Sequence, residues 1–310
     1  MNLRLPGGTP NCQKDAFLHV AHGRRWLAGS CCSVALRAKE SARRGLLLTA
    51  LVAASAAAHA GASVQLEELT STELRDRIAA GATTLLIPVG GTEQNGAHLV
   101  LGKHNVRVRV LAGRIAARLG DAMVAPVLAY VPEGRIDPPT QHMRWAGTIS
   151  IPEPVFEATL VAAVQSLRRH GLCEVYFLGD HGGYRASLDR AAATLNRTTK
   201  LVAGARAPCR AHALPEYYRA ASADFDARLR SEGHATSEIG THAGLADTAL
   251  ALAADPALVR PKALALALAP AAGSGVAGDP RRATAAMGQP GLDHIVDVTV
   301  AAVLADRQRR

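Results

Sequence analysis

The sequence predicts an α/β protein, built as a three-layer α/β/α sandwich around a mostly parallel central sheet. Two runs, residues 83–89 and 174–180, contain continuous apolar stretches at 85–89 and 175–178, which is typical of parallel strands buried on both faces. Helical patterns, with apolar residues three or four positions apart, alternate with these runs. About 250 residues follow the N-terminal segment, which is enough for one domain with a substantial core.

Strand and helix patterns alternate from residue 72 onward. Strands are predicted over residues 83–89, 122–129, 174–180 and 200–203. Helices are predicted over residues 72–80, 106–119, 154–169, 185–196, 217–229, 245–254 and 292–305. Ser71 is the expected cap of the first helix. The irregular loop 132–148 is long for a compact domain, and loops of that length are more often functional than idle.

The first 60 residues are predicted not to belong to the folded domain. A basic stretch at 42–45 leads into the short apolar run 46–54, and an A-x-A cleavage signal ends at Ala60. These features indicate an N-terminal extension plus a signal peptide cleaved near Ala60, with residues 61–310 as a single domain of a periplasmic or secreted protein. The apolar run is too short to span a membrane. A buried alanine-rich helix is the alternative interpretation.

The charge balance argues against a nucleic-acid partner. The chain carries 35 basic and 26 acidic residues, a net charge of +9. Eight basic and two acidic residues lie in the first 60, so the rest is close to neutral, with 27 basic and 24 acidic residues. Cys173 and Cys209 are the cysteines beyond that segment. They are expected either to form a disulfide in an oxidising compartment or to stay buried as free thiols.

Three clusters of polar residues stand out on chemical grounds. Two of them follow predicted strands, where ligands collect in open α/β sheets, and the third precedes a predicted helix. Their members are Glu93, His98 and His104; Asp180 and His181 with Gly182 and Gly183; and Glu238, His242 and Asp247. Carboxylates and imidazoles are suitable ligands for Zn²⁺ or Mn²⁺. Simple turns with incidental histidines, or histidines packed in the core, are the alternatives.

The three clusters together resemble the creatininase family of metal-dependent amidohydrolases. Residues 88–101 align with the family pattern P-V-G-S-x-E-x-H-G-x-H-L-P-L, which is followed by T-D. Residues 179–184 align with N-G-H-G-G-N, and residues 242–249 with H-A-G-E-x-E-T-S. The resemblance extends over roughly residues 65–305. It implies the sandwich fold, two divalent ions (Zn²⁺ or Mn²⁺) and a homo-oligomer in the form of a ring-shaped hexamer.

The metal positions depart from the family pattern. Glu93 and His181 match ligands of the family, but Asn95 stands in place of a histidine and His104 in place of an aspartate. We expect a centre with one metal ion, held by Glu93, His104 and His181. Two alternatives remain: a two-ion centre that recruits His98 or Asp247, and a site that has lost its chemistry. Two further positions depart from the family. Gly183 stands where creatininase itself has another ligand glutamate, and Leu245 replaces the first acidic residue of the third motif.

The resemblance also implies roles around the metal. His242 matches the histidine proposed to transfer protons, and Glu93 is expected to take part in catalysis. The amides of Gly182 and Gly183 are expected to stabilise an oxyanion, and His142 and Glu133 to border the substrate. The implied function is a metal-dependent amidohydrolase that acts on a cyclic amide or another small C–N substrate. The alternative is an inactive periplasmic binding or assembly protein.

Overall fold

In the part of the chain that the structure describes, a four-stranded parallel sheet forms the centre of the fold. The computed structural model describes residues 63–197, 208–267 and 273–309. The strands are β1 (Thr84–Val89), β2 (Ala122–Val124), β3 (Glu174–Gly179) and β4 (Arg210–Ala213). Their order across the sheet is β2-β1-β3-β4, and each neighbouring pair is parallel. This arrangement, with helices on both faces, confirms the predicted three-layer α/β fold.

Helices make up most of the remaining described residues. They are α1 (Ser71–Ala79), α2 (Lys103–Leu119), α3 (Glu153–Arg168), α4 (Arg185–Arg197), α5 (Pro215–Arg219), α6 (Phe225–Ser231), α7 (Thr236–Ile239), α8 (Leu245–Ala254), α9 (Pro261–Ala265) and α10 (Ala285–Gln308). A π-helical turn, Ala220–Asp224, connects α5 to α6. Among residues 63–197, 208–267 and 273–309, no helix has both the length and the hydropathy that a membrane span needs.

Each face of the sheet is covered by a separate hydrophobic cluster. Leu86 of β1 belongs to the cluster that α2, α8 and α10 contribute to, whereas Leu85 and Ile87 belong to the cluster formed with α3 and α4. Successive side chains of a strand point to opposite faces. Because both faces are buried, both sets of side chains must be apolar, which explains why the strands appear as continuous apolar runs.

Several boundaries differ from the sequence predictions. Strand β2 ends at Val124 rather than at residue 129, and the chain beyond it pairs with β1 only through Ala125 and Leu128. The cap of α1 is Thr70, which forms a reciprocal capping box with Glu73. Strand β4 was not predicted. The strand predicted over 200–203, the leader and the cleavage position lie outside the described residues.

Cys173 and Cys209 form a disulfide, which was one of the two alternatives from the sequence. Cys173 immediately precedes β3, and Cys209 immediately precedes β4, so the bond connects the starts of two neighbouring strands. The C-terminal ends of β1 and β3 also lie side by side, with Val89 in register with Gly179. The loops that carry the first two polar clusters therefore leave the sheet at the same edge.

Candidate metal centre

Four side chains from three loops form a compact cluster. Glu93 lies on the loop after β1, Glu133 and His142 lie between β2 and α3, and His181 follows β3. One ligand atom from each of the four lies within 4.8 Å of all the others. Ligand atoms around a tetrahedral Zn²⁺ stand about 3.4 Å apart, so a small inward movement would complete such a site. We call these four residues the metal cluster.

Short distances connect the members of the metal cluster. Glu93 Oε2 lies 3.3 Å from His142 Nε2 and 3.6 Å from His181 Nε2. Glu133 Oε2 lies 3.4 Å from His181 Nδ1. Both carboxyl groups are fully buried, whereas the two histidines remain partly exposed. The carboxyls therefore lie at the bottom of the cluster and the imidazoles at its opening.

The metal cluster contains buried oxygens that lack hydrogen bonds. Within the described part of the chain, no donor forms a hydrogen bond of acceptable geometry to Glu93 Oε2 or to either carboxyl oxygen of Glu133. Buried polar atoms are normally paired, and an unpaired buried charge is costly. A divalent cation would satisfy one oxygen of each carboxyl group at once. The residues present therefore fit a metal ion.

The electrostatics of the metal cluster favour the same interpretation. Burial, together with the charge of Glu93, raises the pKa of Glu133 to about 9. Burial lowers the pKa of His181 to about 3 and also lowers the pKa of His142. Both imidazoles are therefore neutral at neutral pH, which is the form that binds metals. Two neutral nitrogen donors and two carboxyl groups make a donor set suited to Zn²⁺ or Mn²⁺.

His104, a predicted ligand, lies behind the metal cluster rather than in it. Its Nδ1 lies 2.7 Å from Asp180 Oδ2, and its Nε2 lies 2.9 Å from Glu93 Oε1. Burial alone would lower the pKa of His104, but its hydrogen bonds to the two carboxylates hold it above its ordinary value. Both ring nitrogens thus act as donors, and His104 orients Glu93.

Asp247, the second predicted alternative ligand, is paired with cations of the protein. Its Oδ2 accepts hydrogen bonds from Lys103 Nζ at 2.7 Å and from the Ala243 amide at 2.9 Å, and its Oδ1 accepts one from Arg107 at 3.2 Å. Burial would raise the pKa of Asp247, but Lys103 and Arg107 hold it well below its usual range. Its carboxylate is therefore charged, and its charge is already balanced.

His98 and Asn95 both stabilise the loop after β1. His98 is buried, and its Nε2 lies 3.1 Å from the hydroxyl of Thr248. Asn95 Nδ2 donates to the carbonyl oxygens of Glu93, at 2.9 Å, and Val100, at 3.1 Å. The structure therefore does not bring His98 to the metal cluster. Asn95, which aligns with a family histidine, uses its amide to hold the backbone beside Glu93.

His242 lies beside the metal cluster. Its Nε2 is 2.9 Å from the carbonyl oxygen of Gln94, and its Nδ1 is 3.7 Å from Glu93 Oε1. The hydrogen bond to a carbonyl places the proton on Nε2, so Nδ1 carries the lone pair. Burial lowers the pKa of His242 to about 4, and its ring centroid lies 4.4 Å from that of His142.

The metal cluster opens into a cavity of about 380 Å³. Residues that line this cavity include His142, His181, Gly182, Tyr218, Thr241 and His242. Gly182 leaves no room for a side chain, because a Cβ atom there would lie 2.6 Å from the Tyr218 hydroxyl. The Gly183 amide donates to His181 Nδ1 at 3.3 Å, so it orients the imidazole instead of facing the cavity.

Sequence reasoning placed Glu133 and His142 at the substrate and missed Lys103 and Gln94. Gln94 is buried and donates from Nε2 to the Gly275 carbonyl at 2.8 Å. Lys103 is almost completely buried. The available signal for Lys103 was its position next to His104, where a lysine occupies a place that the family pattern gives to threonine.

Comparisons with known proteins identify the family of the chain. The family profile Creatininase, described as creatinine amidohydrolase, matches residues 67–303. A mycofactocin precursor peptide peptidase from Mycolicibacterium smegmatis is 34% identical over 116 residues, which are 36% of this chain and 44% of that protein. Creatinine amidohydrolase from Pseudomonas putida is 30% identical over 119 residues, 38% of this chain and 45% of that protein. The matches span about half the length of these relatives.

Solved structures share the fold over most of the chain. A crystal structure of creatinine amidohydrolase superposes with a TM-score of 0.64 at 24% identity, covering 79% of this chain and 98% of that one. Two further creatininase structures of similar coverage are described as the Mn form and as a variant of Zn-Zn type, with TM-scores of 0.64 and 0.62. With a family profile that matches most of its length and the characteristic motifs in order, this chain belongs to the creatininase family.

Proposed function

We propose that this protein is a hydrolase of a small amide or other C–N bond, dependent on one divalent metal ion, Zn²⁺ or Mn²⁺, held by the metal cluster. The observation that carries the proposal is the convergence of two neutral imidazoles on buried carboxyl oxygens that lack hydrogen bonds. Glu93 and His181 keep the roles expected from the sequence. Glu133 and His142 take the ligand positions that were expected for His104, His98 or Asp247.

A bound divalent ion supplies a Lewis acid and lowers the pKa of water towards about 7. The residues of the chain do the rest. Glu93, Glu133, His142 and His181 would hold the ion, and the hydrogen bond from His104 to Glu93 Oε1 would keep Glu93 in position. His242 accepts a proton at Nδ1, because its Nε2 is engaged by Gln94. A cavity of about 380 Å³ is suited to a small molecule.

Metal content tests the proposal most directly. The full chain is stripped with a chelator, reloaded with Zn²⁺ or Mn²⁺ and analysed by elemental mass spectrometry. We expect retained metal in the wild type and its loss in His181→Ala and Glu133→Gln. His170→Ala is the matched control, because this histidine is exposed.

Activity is then measured on a panel of cyclic amides, linear amides and formamides with each metal. Metal-dependent release of an amine or carboxylate supports the proposal. A chain that holds no metal, or that holds it without hydrolysing any substrate of the panel, contradicts it and favours a binding or assembly role.

We also propose that residues 1–60 are removed near Ala60 on export and that residues 61–310 form the mature domain. The Cys173–Cys209 disulfide supports an oxidising compartment. N-terminal sequencing of the protein recovered from the periplasm or the medium tests this proposal, and a mature chain that retains Met1 contradicts it.

A homo-oligomer is part of the same proposal, with the hexamer as the expected form. Five large apolar side chains between residues 101 and 155 are exposed in this structure: Leu101, Tyr130, Ile136, Ile149 and Val155. Exposed apolar surface of this kind is covered in assemblies. Light scattering coupled to size exclusion measures the mass, and a monomer at micromolar concentration contradicts the proposal.

A further inference from the structure

Lys103 places a buried ammonium group beside the metal cluster. The side chain is 1% exposed, and Nζ lies 2.7 Å from Asp247 Oδ2 and 3.7 Å from Glu93 Oε1. Lysine is almost never fully buried unless it is paired. The ammonium therefore lies between two carboxylates on different elements, in a position suited to a cation.

Asp247 and Asp180, two carboxylates that line the same cavity, are engaged by the protein's own cations. Asp247 is paired with Arg107 as well as with Lys103. Asp180 is paired with Arg107 at 2.9 Å and with His104 at 2.7 Å. These contacts contrast with Glu93 Oε2 and the Glu133 oxygens, which lack hydrogen-bond partners among the described residues. In this pocket the charges of Asp247 and Asp180 are thus already balanced by protein cations, whereas the carboxyl groups of Glu93 and Glu133 still offer oxygens to a metal ion.

We infer that Lys103 is a built-in cation at a second cation position, so that the centre takes one divalent ion and no more. The inference rests on the proposed function, because it concerns the same site. A second divalent ion near Asp247 would have to displace the ammonium or lie against it, and like charges repel strongly where water is excluded. Lys103 is a positioning residue, since it also holds Glu93 Oε1 and leaves Oε2 for the metal cluster.

Replacement of Lys103 should expose the second position. Lys103→Ala removes the ammonium, and it leaves Asp247 Oδ2 and Glu93 Oε1 without that cation. Carboxylate oxygens in this situation bind divalent ions. We therefore expect the variant to bind one more ion per chain than the wild type, although it gains no ligand.

The test is the metal stoichiometry of the full chain, measured by calorimetric titration with Zn²⁺ alone and with Mn²⁺ alone and by elemental mass spectrometry. The expected counts are one ion for the wild type and two for Lys103→Ala. Lys262→Ala, which replaces an exposed lysine, is the matched control and should bind one. Thermal unfolding in the presence of metal provides a second readout, because above saturation the stability of Lys103→Ala should rise about twice as steeply with the logarithm of the free metal concentration as that of the wild type.

Two ions in the wild type, or equal counts in the wild type and a folded Lys103→Ala, would overturn the inference. If Lys103→Ala does not fold by circular dichroism, Lys103→Gln is titrated instead, and it must also bind one ion more than the wild type. If neither variant folds, the wild-type count decides: one ion supports the inference and two overturn it. A wild type without metal rejects the proposed function. In that case a Lys103→Ala variant that binds one ion supports the inference, and a variant that binds none overturns it.

Discussion

His104 donates a hydrogen bond from Nδ1 to Asp180 Oδ2 over 2.7 Å, and this contact fixes the orientation of the imidazole that holds Glu93. Asp180 also accepts from Arg107 Nε at 2.9 Å and from the Tyr217 hydroxyl at 2.7 Å, and it is almost completely buried. The opposite nitrogen of His104 reaches Glu93. A fixed carboxylate in the core thereby determines which oxygen of Glu93 faces the metal cluster.

Asp180→Asn should weaken metal binding, although Asp180 is not a member of the metal cluster and acts only through His104. The amide keeps the shape of the side chain, but it leaves Arg107 and His104 without their shared counter-charge. Loss of a buried pair costs about 3 kcal/mol or more, and removal of a residue that orients a ligand lowers metal affinity about 10- to 100-fold. Urea unfolding and Zn²⁺ titration measure the two effects.

Asp76→Asn is the control for this experiment, because Asp76 pairs with Arg75 on the surface. Its unfolding free energy should change by less than about 1 kcal/mol. An Asp180→Asn protein with wild-type affinity for Zn²⁺ would show that Asp180 does not orient Glu93.

Tyr184→Phe should loosen the connection between the loops that carry Glu93 and His181. The Tyr184 hydroxyl lies 2.7 Å from the carbonyl oxygens of Val89 and Gly90 and accepts a hydrogen bond from the His181 amide at 3.1 Å. Loss of the hydroxyl leaves buried backbone groups unpaired, at a cost of about 1–3 kcal/mol. Thermal unfolding of the metal-free protein should show lower stability.

The matched control is Tyr130→Phe, since Tyr130 is 59% exposed. Its midpoint should stay within error of the wild type. Equal midpoints for the two variants would show that the Tyr184 hydroxyl contributes nothing to the stability of these loops.

Gly275→Ala should disturb His242 through Gln94. Gly275 has φ +72°, and a Cβ atom there would lie 2.3 Å from Gln94 Oε1. The main-chain carbonyl of the same Gln94 accepts the hydrogen bond from His242 Nε2. We expect a folded protein that still binds metal but hydrolyses its substrate at least about tenfold more slowly, because a misplaced proton acceptor loses much of its contribution.

Gly273→Ala is the control, because Gly273 has φ +91° and no atom of the described residues lies within 4 Å of its Cβ position. It has the same unfavourable backbone conformation without the collision, so it should lose only about 1 kcal/mol of stability and keep its activity. Equal activity in the two variants would contradict the role given to Gln94.

Removal of the Cys173–Cys209 disulfide should destabilise the domain. The two cysteines are 36 residues apart, and loop-closure entropy for a loop of this length corresponds to about 3–4 kcal/mol. The Cys173→Ser and Cys209→Ser double variant should unfold at lower urea concentration than the oxidised wild type. Reductant should lower the stability of the wild type and leave the double variant unchanged. A wild type insensitive to reductant would contradict this expectation.

The fold was largely predictable from the sequence, because its signals are local. Apolar runs buried on both faces identified the position and the end of β1 and β3, and helical spacing identified α8 to the residue. Strand β4 escaped because its four residues include Arg210 and His212, whose polar side chains hide the strand pattern. In α10 the helix runs through Pro290, so its start at Ala285 could not be inferred from the apolar spacing that begins later.

The metal cluster was only half predictable, because its composition depends on distances across the fold. The motifs identified Glu93 and His181, which directly follow strands. Glu133 and His142 lie on an irregular loop, and no periodicity shows which way such a loop folds. Spacing also cannot reveal that His104 is held between two carboxylates or that Asp247 is paired with Lys103.

The full burial of Glu93 has a kinetic consequence. The carboxylate is fully buried, and His142 and His181 are the partly exposed members of the metal cluster, so an ion that enters from the cavity would pass these two side chains. His142 lies in a single 3₁₀ turn, Gln141–Arg144, within a long irregular loop. If the metal cluster holds an ion as proposed, we expect the rate of ion exchange to depend on movement of this loop, and the affinity for the ion to depend on the buried residues that hold Glu93.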